Sequence, residues 1–130
     1  MSNLSNYAEK LVLDWLVTTG SVVRPTAWFL ALFTSTTDDA GGGTELSGNG
    51  YAREAVICAA AATPSGGTQN TNGIVFTAVG GSWGTVSHIA IYDAVSGGNS
   101  LWHGPLVTPQ VIVDGHSLVF TDEDLDFILA

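Results

Sequence analysis

A chain of 130 residues has room for one domain with a single sizeable core, and a net charge of −9 narrows what it can bind. Lys10, Arg24 and Arg53 are its only lysine and arginine residues, too few to neutralise a phosphate backbone, which excludes nucleic acid as a partner. Charged residues make up only 12%, against a usual share of about 25%, and the 16 glycines and many threonines point to β-structure with frequent turns.

The first 20 residues read as a helix. Leu4, Tyr7, Ala8, Leu11 and Trp15 recur at helical spacing along one face. Ser2, or Asn6 with Glu9, offers the start, and Thr18-Thr19-Gly20 the stop. Val12, Leu13 and Leu16 widen the apolar surface beyond a single contact stripe. Leu4, Tyr7, Leu11 and Trp15 are therefore the candidate oligomer or docking face, on their own domain or on another chain.

From residue 22 to 130 the pattern is of short strands. Ala27–Phe33 reads as a buried strand entered at Pro25. Residues 34–50 form a long polar loop, too glycine-rich to order itself by packing, either a contact surface or a bare connector. Strands are expected at Tyr51–Ala62, ended by Thr63–Gly67, and at Thr71–Val79. Two alternating runs, Thr85–Asp93 and Ser100–Leu106, flank Ser96-Gly97-Gly98-Asn99 as a hairpin. Val107–Val113 and Ser117–Phe120 are expected to pair across Asp114-Gly115, and Leu125–Leu129 closes the chain. One helix, seven or eight strands and no βαβ rhythm make this an all-β fold, an antiparallel β-sandwich of jelly-roll type with an N-terminal helix, in one domain spanning 1–130.

No constellation for bond-making chemistry stands out. His88, His103 and His116 lack the short paired spacing of a zinc site, and Asp122-Glu123-Asp124 lacks calcium-loop offsets, so no metal is expected. Gly80-Gly81-Ser82-Trp83-Gly84 mimics a nucleophile elbow, but a strand follows it where a helix is needed. No catalytic residue and no cofactor is assigned. The single Cys58, in an apolar run, is expected to be buried. Trp28 reads as core, while Trp83 and Trp102 bracket the hairpin as candidate contact aromatics. No run is long and apolar enough for a membrane span, and the start lacks signal-peptide regions.

Leu32–Ser35, Asp39-Ala40-Gly41, Glu45–Arg53 with its Tyr-Ala-Arg, Ser82–Ala94, Leu101–Gly104 and Asp114–Leu118 together resemble a module of small tailed-bacteriophage virion proteins, usually labelled tail fibre or minor virion proteins. The likeness runs from Leu4 to Leu129. Ile57-Cys58, where Thr-Phe is more usual, and the acidic stretch Thr121–Asp126 depart from it. The resemblance implies a structural, non-enzymatic virion component made in the host cytoplasm. Its partners would be other virion proteins (portal or adaptor, tail or capsid) and further copies of itself, a trimer being favoured. The expected role is a fibre-like appendage at the tail or head–tail junction, acting by assembly and attachment. The alternatives are a capsid decoration protein, and a carbohydrate-binding receptor module using Trp83 and Trp102.

Overall fold

The computed structural model describes residues 4–61 and 67–128. Its elements are α1 (Asn6–Val17), β1 (Phe29–Phe33), β2 (Glu54–Ala55), β3 (Gly67–Gln69), β4 (Ile74–Thr77), β5 (Gly84–Tyr92), β6 (Ser100–Ile112), β7 (Ser117–Phe120) and β8 (Asp126–Ile128). A four-stranded antiparallel sheet in the order β2-β1-β5-β6 faces two antiparallel ladders, β4·β7 and β3·β8. The expected all-β sandwich with one helix is what forms.

β1 explains the layering. Its sequence, Phe-Leu-Ala-Leu-Phe, is apolar without alternation, the pattern of a strand buried on both faces. Leu30 and Leu32 point into the main core, with Val86 and Ile91 of β5, Leu101 and Ile112 of β6, and Ile74, Phe76, Leu118 and Phe120 of the β4·β7 ladder. Ala31 and Phe33 point the other way and form a second small core with Ala90 and Tyr92 of β5. The β4·β7 ladder alternates cleanly instead, with Val75 and Val119 paired on the solvent side, and Phe76 meets Phe120 edge-on at 6.3 Å.

The hairpin forms as expected between β5 and β6, with Asp93 accepting bonds from Asn99 N (2.7 Å) and Asn99 Nδ2 (3.0 Å) across its loop. Two expectations at β6 are corrected. Ser100–Leu106 and Val107–Val113 are one strand, not two. Between Val86↔Gln110 and His88↔Pro105 the register slips, so Leu106–Pro109 bulge opposite Ser87. Pro105 and Pro109 lack the N–H a regular ladder needs. Nor does Ser117–Phe120 pair back onto β6. The Asp114-Gly115 turn hooks onto Ala78 through Gly115 N to Ala78 O and Ala78 N to His116 O, both 2.9 Å. Asp114 Oδ1 also takes Gly80 N at 3.0 Å, and the chain crosses to β4.

The other differences have local causes. The helix starts at Asn6, capped by Ser5, whose Oγ accepts from Ala8 N at 3.2 Å; Ser2 lies outside the described residues. Tyr51–Ala62 shrinks to β2 and an isolated bridge between Cys58 and Asn70, because the Asn72 side chain takes over the pairing. It accepts Ile57 N at 2.9 Å and donates to Ala55 O at 3.0 Å. Cys58 is exposed, not buried: in Glu54–Ala61 only Val56 turns inward. Residues 62–66 and 129–130, which hold the end of the expected Tyr51–Ala62 strand, most of the Thr63–Gly67 segment that ends it, and the close of the last strand, lie outside the described residues.

Asn70 holds the far end of the sandwich. It is fully buried, yet its Nδ2 donates to Asn72 O (2.8 Å) and Thr121 O (2.9 Å), and its Oδ1 accepts Leu125 N (2.8 Å). Asn70→Ala takes the partner from three backbone groups, the buried Leu125 N and the part-buried carbonyls of Asn72 and Thr121, and is expected to cost about 2 kcal/mol of unfolding free energy. Asn70→Asp, which cannot donate, should recover little of it. Urea denaturation of the three proteins checks this; an unchanged midpoint for Asn70→Ala would remove Asn70 from this role.

Candidate functional site

The second core, on the outer face of the four-stranded sheet, is roofed by the long 34–50 loop. This loop, too glycine-rich to order itself by packing, closes with hydrogen bonds instead. Thr34 N donates to Thr44 O and Leu46 N to Leu32 O, each at 3.0 Å, so the segment returns alongside β1. Asp38 Oδ1 accepts from Ala40 N (2.9 Å) and Gly42 N (2.8 Å) at the tip. Gly43 is required here: φ is +107°, and a Cβ would sit 3.1 Å from the Phe33 ring and 3.0 Å from Thr36 O.

Arg53 locks this roof to the hairpin. Its Nε and Nη2 grip Glu45 as a two-pronged fork, at 2.8 Å to Oε2 and 2.7 Å to Oε1. Its Nη1 donates to Ala94 O (2.9 Å) and Gly97 O (2.7 Å) in the hairpin loop, and its guanidinium lies 3.9 Å over the Tyr92 ring. Tyr51 completes the set by donating to Glu45 Oε2 at 2.7 Å while accepting Leu32 N at 3.1 Å. Burial alone would raise the Glu45 carboxyl, but the Arg53 and Tyr51 hydrogen bonds and the Arg53 charge outweigh it and hold it below the ordinary value. Burial, reinforced by the Glu45 carboxylate, pushes the Tyr51 hydroxyl well above its ordinary value.

His103, on β6, holds the loop at a second point. Its Nδ1 pairs with Thr37 Oγ1 at 2.9 Å and its Nε2 with Asp39 Oδ1 at 2.8 Å. Hydroxyl, imidazole and carboxylate thus stand in a row, as in a nucleophile relay, but the burial is reversed. Thr37 is buried and Asp39 exposed, whereas a relay needs an accessible hydroxyl and a sheltered carboxylate. The row fastens a loop to a strand. His88 pairs instead with Ser87 Oγ, His116 is exposed beside the Gly115 turn, and among the described residues no three His, Cys, Asp or Glu side chains gather as a metal set. Ser82 Oγ accepts Asp114 N at 3.0 Å, a turn contact. The acidic stretch is also a turn, with Asp124 Oδ2 accepting Thr121 N (2.7 Å) and Thr121 Oγ1 (2.9 Å).

The sequence-picked face of the helix divides. Leu4 bridges to Trp102 and packs on the main core, and Tyr7 is exposed at the helix start. Leu11 and Trp15 line an apolar groove of about 540 Å³ with Ala8, Val12, Val22 and Pro25. Only Ala8 of the helix is buried. Of the two bracketing tryptophans, Trp83 lies in the core with Nε1 donating to Asn49 O at 3.0 Å, and Trp102 is half-buried, edge-on to Phe127 at 5.6 Å. The Arg53–Glu45 fork was not read from the sequence. Its only trace there is a lone arginine eight residues after a glutamate that closes a glycine-rich loop.

A β-sandwich with glycine-rich loops clamped onto it, and an apolar helix left half uncovered, is the build of a structural module. The chain belongs to the family described as Podophage GP4 fiber I protein gp80, which matches residues 3–128. It is thus a bacteriophage virion structural protein of the fibre type, assembling with other virion components. None of the curated proteins matches it. Among the described residues no helix is long and apolar enough to cross a membrane.

Removing Arg53 leaves the part-buried Glu45 carboxylate with only the Tyr51 hydroxyl, so Arg53→Met should cost about 2–3 kcal/mol in urea unfolding. Hydrogen exchange should quicken in residues 94–99 before it does in β1. Because the folded Glu45 pKa is depressed, its contribution is complete above the ordinary carboxyl value of 4.5 and is lost as the pH falls below it. Glu45→Gln should therefore flatten the acid limb of the stability profile, measured as thermal midpoint against pH. Tyr51 has a raised pKa, so its contribution holds below the ordinary value of 10.0 and fades as the pH rises beyond it. An alkaline absorbance titration should ionise fewer tyrosines near pH 10 in the native chain than in the same chain unfolded, and Tyr51→Phe should narrow that gap by one.

Proposed function

We propose that this protein forms a fibre-like appendage at the tail or head–tail junction of the virion, acting by assembly and attachment without catalysis. It does so as a homo-oligomer, a trimer being favoured, seated on portal, adaptor or tail proteins. The observation that carries this reading, beside the family, is the division of labour in the fold. The sandwich completes its own cores and clamps its loops, yet the N-terminal helix keeps most of its apolar surface in solvent. An apolar surface left over after the core is full marks a contact with another protein.

Immunogold labelling of purified virions with antibody to this chain tests the placement, together with its abundance relative to the portal and the major capsid protein. Label confined to the tail, at an abundance near that of tail proteins, is expected. Label over the whole shell at an abundance near that of the capsid protein would replace this role with capsid decoration.

A further inference from the structure

The helix is apolar on two sides, and its own domain uses only one. Ala8, Leu11 and Val12 turn toward the groove above Leu101 and Pro25. Leu13, Leu16 and Val17 fall on the opposite side of the same turns, at 57%, 61% and 75% exposure. Trp15, at the open lip of the groove, is 73% exposed, and Val23, just beyond the helix, 85%. A soluble surface helix normally keeps its outer side polar, and one that is apolar all round is buried.

Charge identifies what covers it. Between residues 4 and 28 the charged side chains are Glu9, Lys10, Asp14 and Arg24, two acids and two bases, so this segment is neutral and the whole net charge of −9 lies elsewhere. Lys10 and Arg24 are exposed while Arg53 is buried, so both exposed basic side chains of the protein belong to this segment. Lys10 already pairs with Asp14 along the helix. Copies of so acidic a chain repel one another over most of their surface, and here they do not. A rim holding both signs is also able to pair with itself across a symmetry axis.

The exposed parts of Leu13, Leu16 and Val17, which share one side of the helix, come to on the order of 300 Å², as much as the largest apolar patch on many monomers.

We infer that the outward face of α1, formed by Leu13, Leu16 and Val17, is where a second copy of this chain docks, helix against helix. This rests on the homo-oligomer part of the proposed function and shifts the contact from the Leu4–Tyr7–Leu11–Trp15 side to the opposite one. The Leu4 side is already engaged by β6.

Light scattering of the full-length purified protein during size-exclusion chromatography tests it over a concentration series. The expected mass is a whole multiple of 13.4 kDa, falling at least twofold to the single-chain value in Leu13→Asp and in Leu16→Asp. Their circular dichroism and melting should stay native, since both residues are exposed. Val111→Asp, exposed on β6 away from the helix, should keep the oligomer. Leu16→Ser serves in place of any aspartate variant that fails to fold. A wild type that stays at 13.4 kDa at every concentration overturns the inference, as does an oligomer that survives both leucine variants or is lost equally in Val111→Asp. A capsid-wide immunogold pattern with the expected masses would sink the tail placement and leave this contact standing.

Discussion

The fork between Arg53 and Glu45 is the interaction on which the outer half of this molecule depends. The 34–50 loop has few apolar side chains and no regular secondary structure, so it cannot hold a position by burial. The chain also has one arginine inside the fold, and that arginine joins the end of the loop to the hairpin loop by hydrogen bonds and to β5 by stacking. Remove it and the small core of Ala31, Phe33, Ala90 and Tyr92 loses its roof. A buried pair of this sort is dear in desolvation, and its bidentate geometry with two further carbonyl acceptors is what makes it hold. Its gain lies in fixing which loop sits where, as much as in stability.

This arrangement separates two jobs. The polar, glycine-rich side of the molecule is rigidified by hydrogen bonds and presents backbone and small side chains outward. The helix side is held chiefly at its start, where Ser5 caps α1, donates its hydroxyl to Ser100 O and its backbone N–H to Leu101 O. The rest of the helix leans over a groove it does not fill. A virion protein needs one surface that stays as folded and another that is completed by its neighbours, and the two lie on different elements here.

Much of the fold was legible because it is local. Period-two alternation and the Gly97-Gly98-Asn99 turn gave the hairpin, the unbroken apolar run Ala27–Phe33 gave a buried strand, and helical spacing gave α1. The failures share a cause, which is partner choice at long range. Nothing near Asp114-Gly115 reveals that the turn bonds to Ala78 and sends β7 to β4. The expected division between Leu106 and Val107 is a bulge in one continuous strand. Cys58 has the composition of a core segment, but Asn72 captures the backbone beside it and leaves the thiol outside. The candidate site was half legible: the excess apolar residues of the helix could be counted, whereas which of them its own domain would claim depended on where Leu101 and Pro25 lie.

The bulge at Leu106–Pro109 has a consequence for how copies can join. β6 is the longer outer strand of its sheet, and a straight outer strand is an open template on which another chain's backbone can crystallise, one molecule after another without end. Pro105 and Pro109 remove donors from that template, the bulge bends it, and the opposite margin, β2, is only two residues long. Strand-by-strand growth into amyloid-like ribbons is therefore barred at both margins. A protein this rich in neutral surface is left to associate through side chains alone, in contacts that can close on themselves and stop at a fixed number.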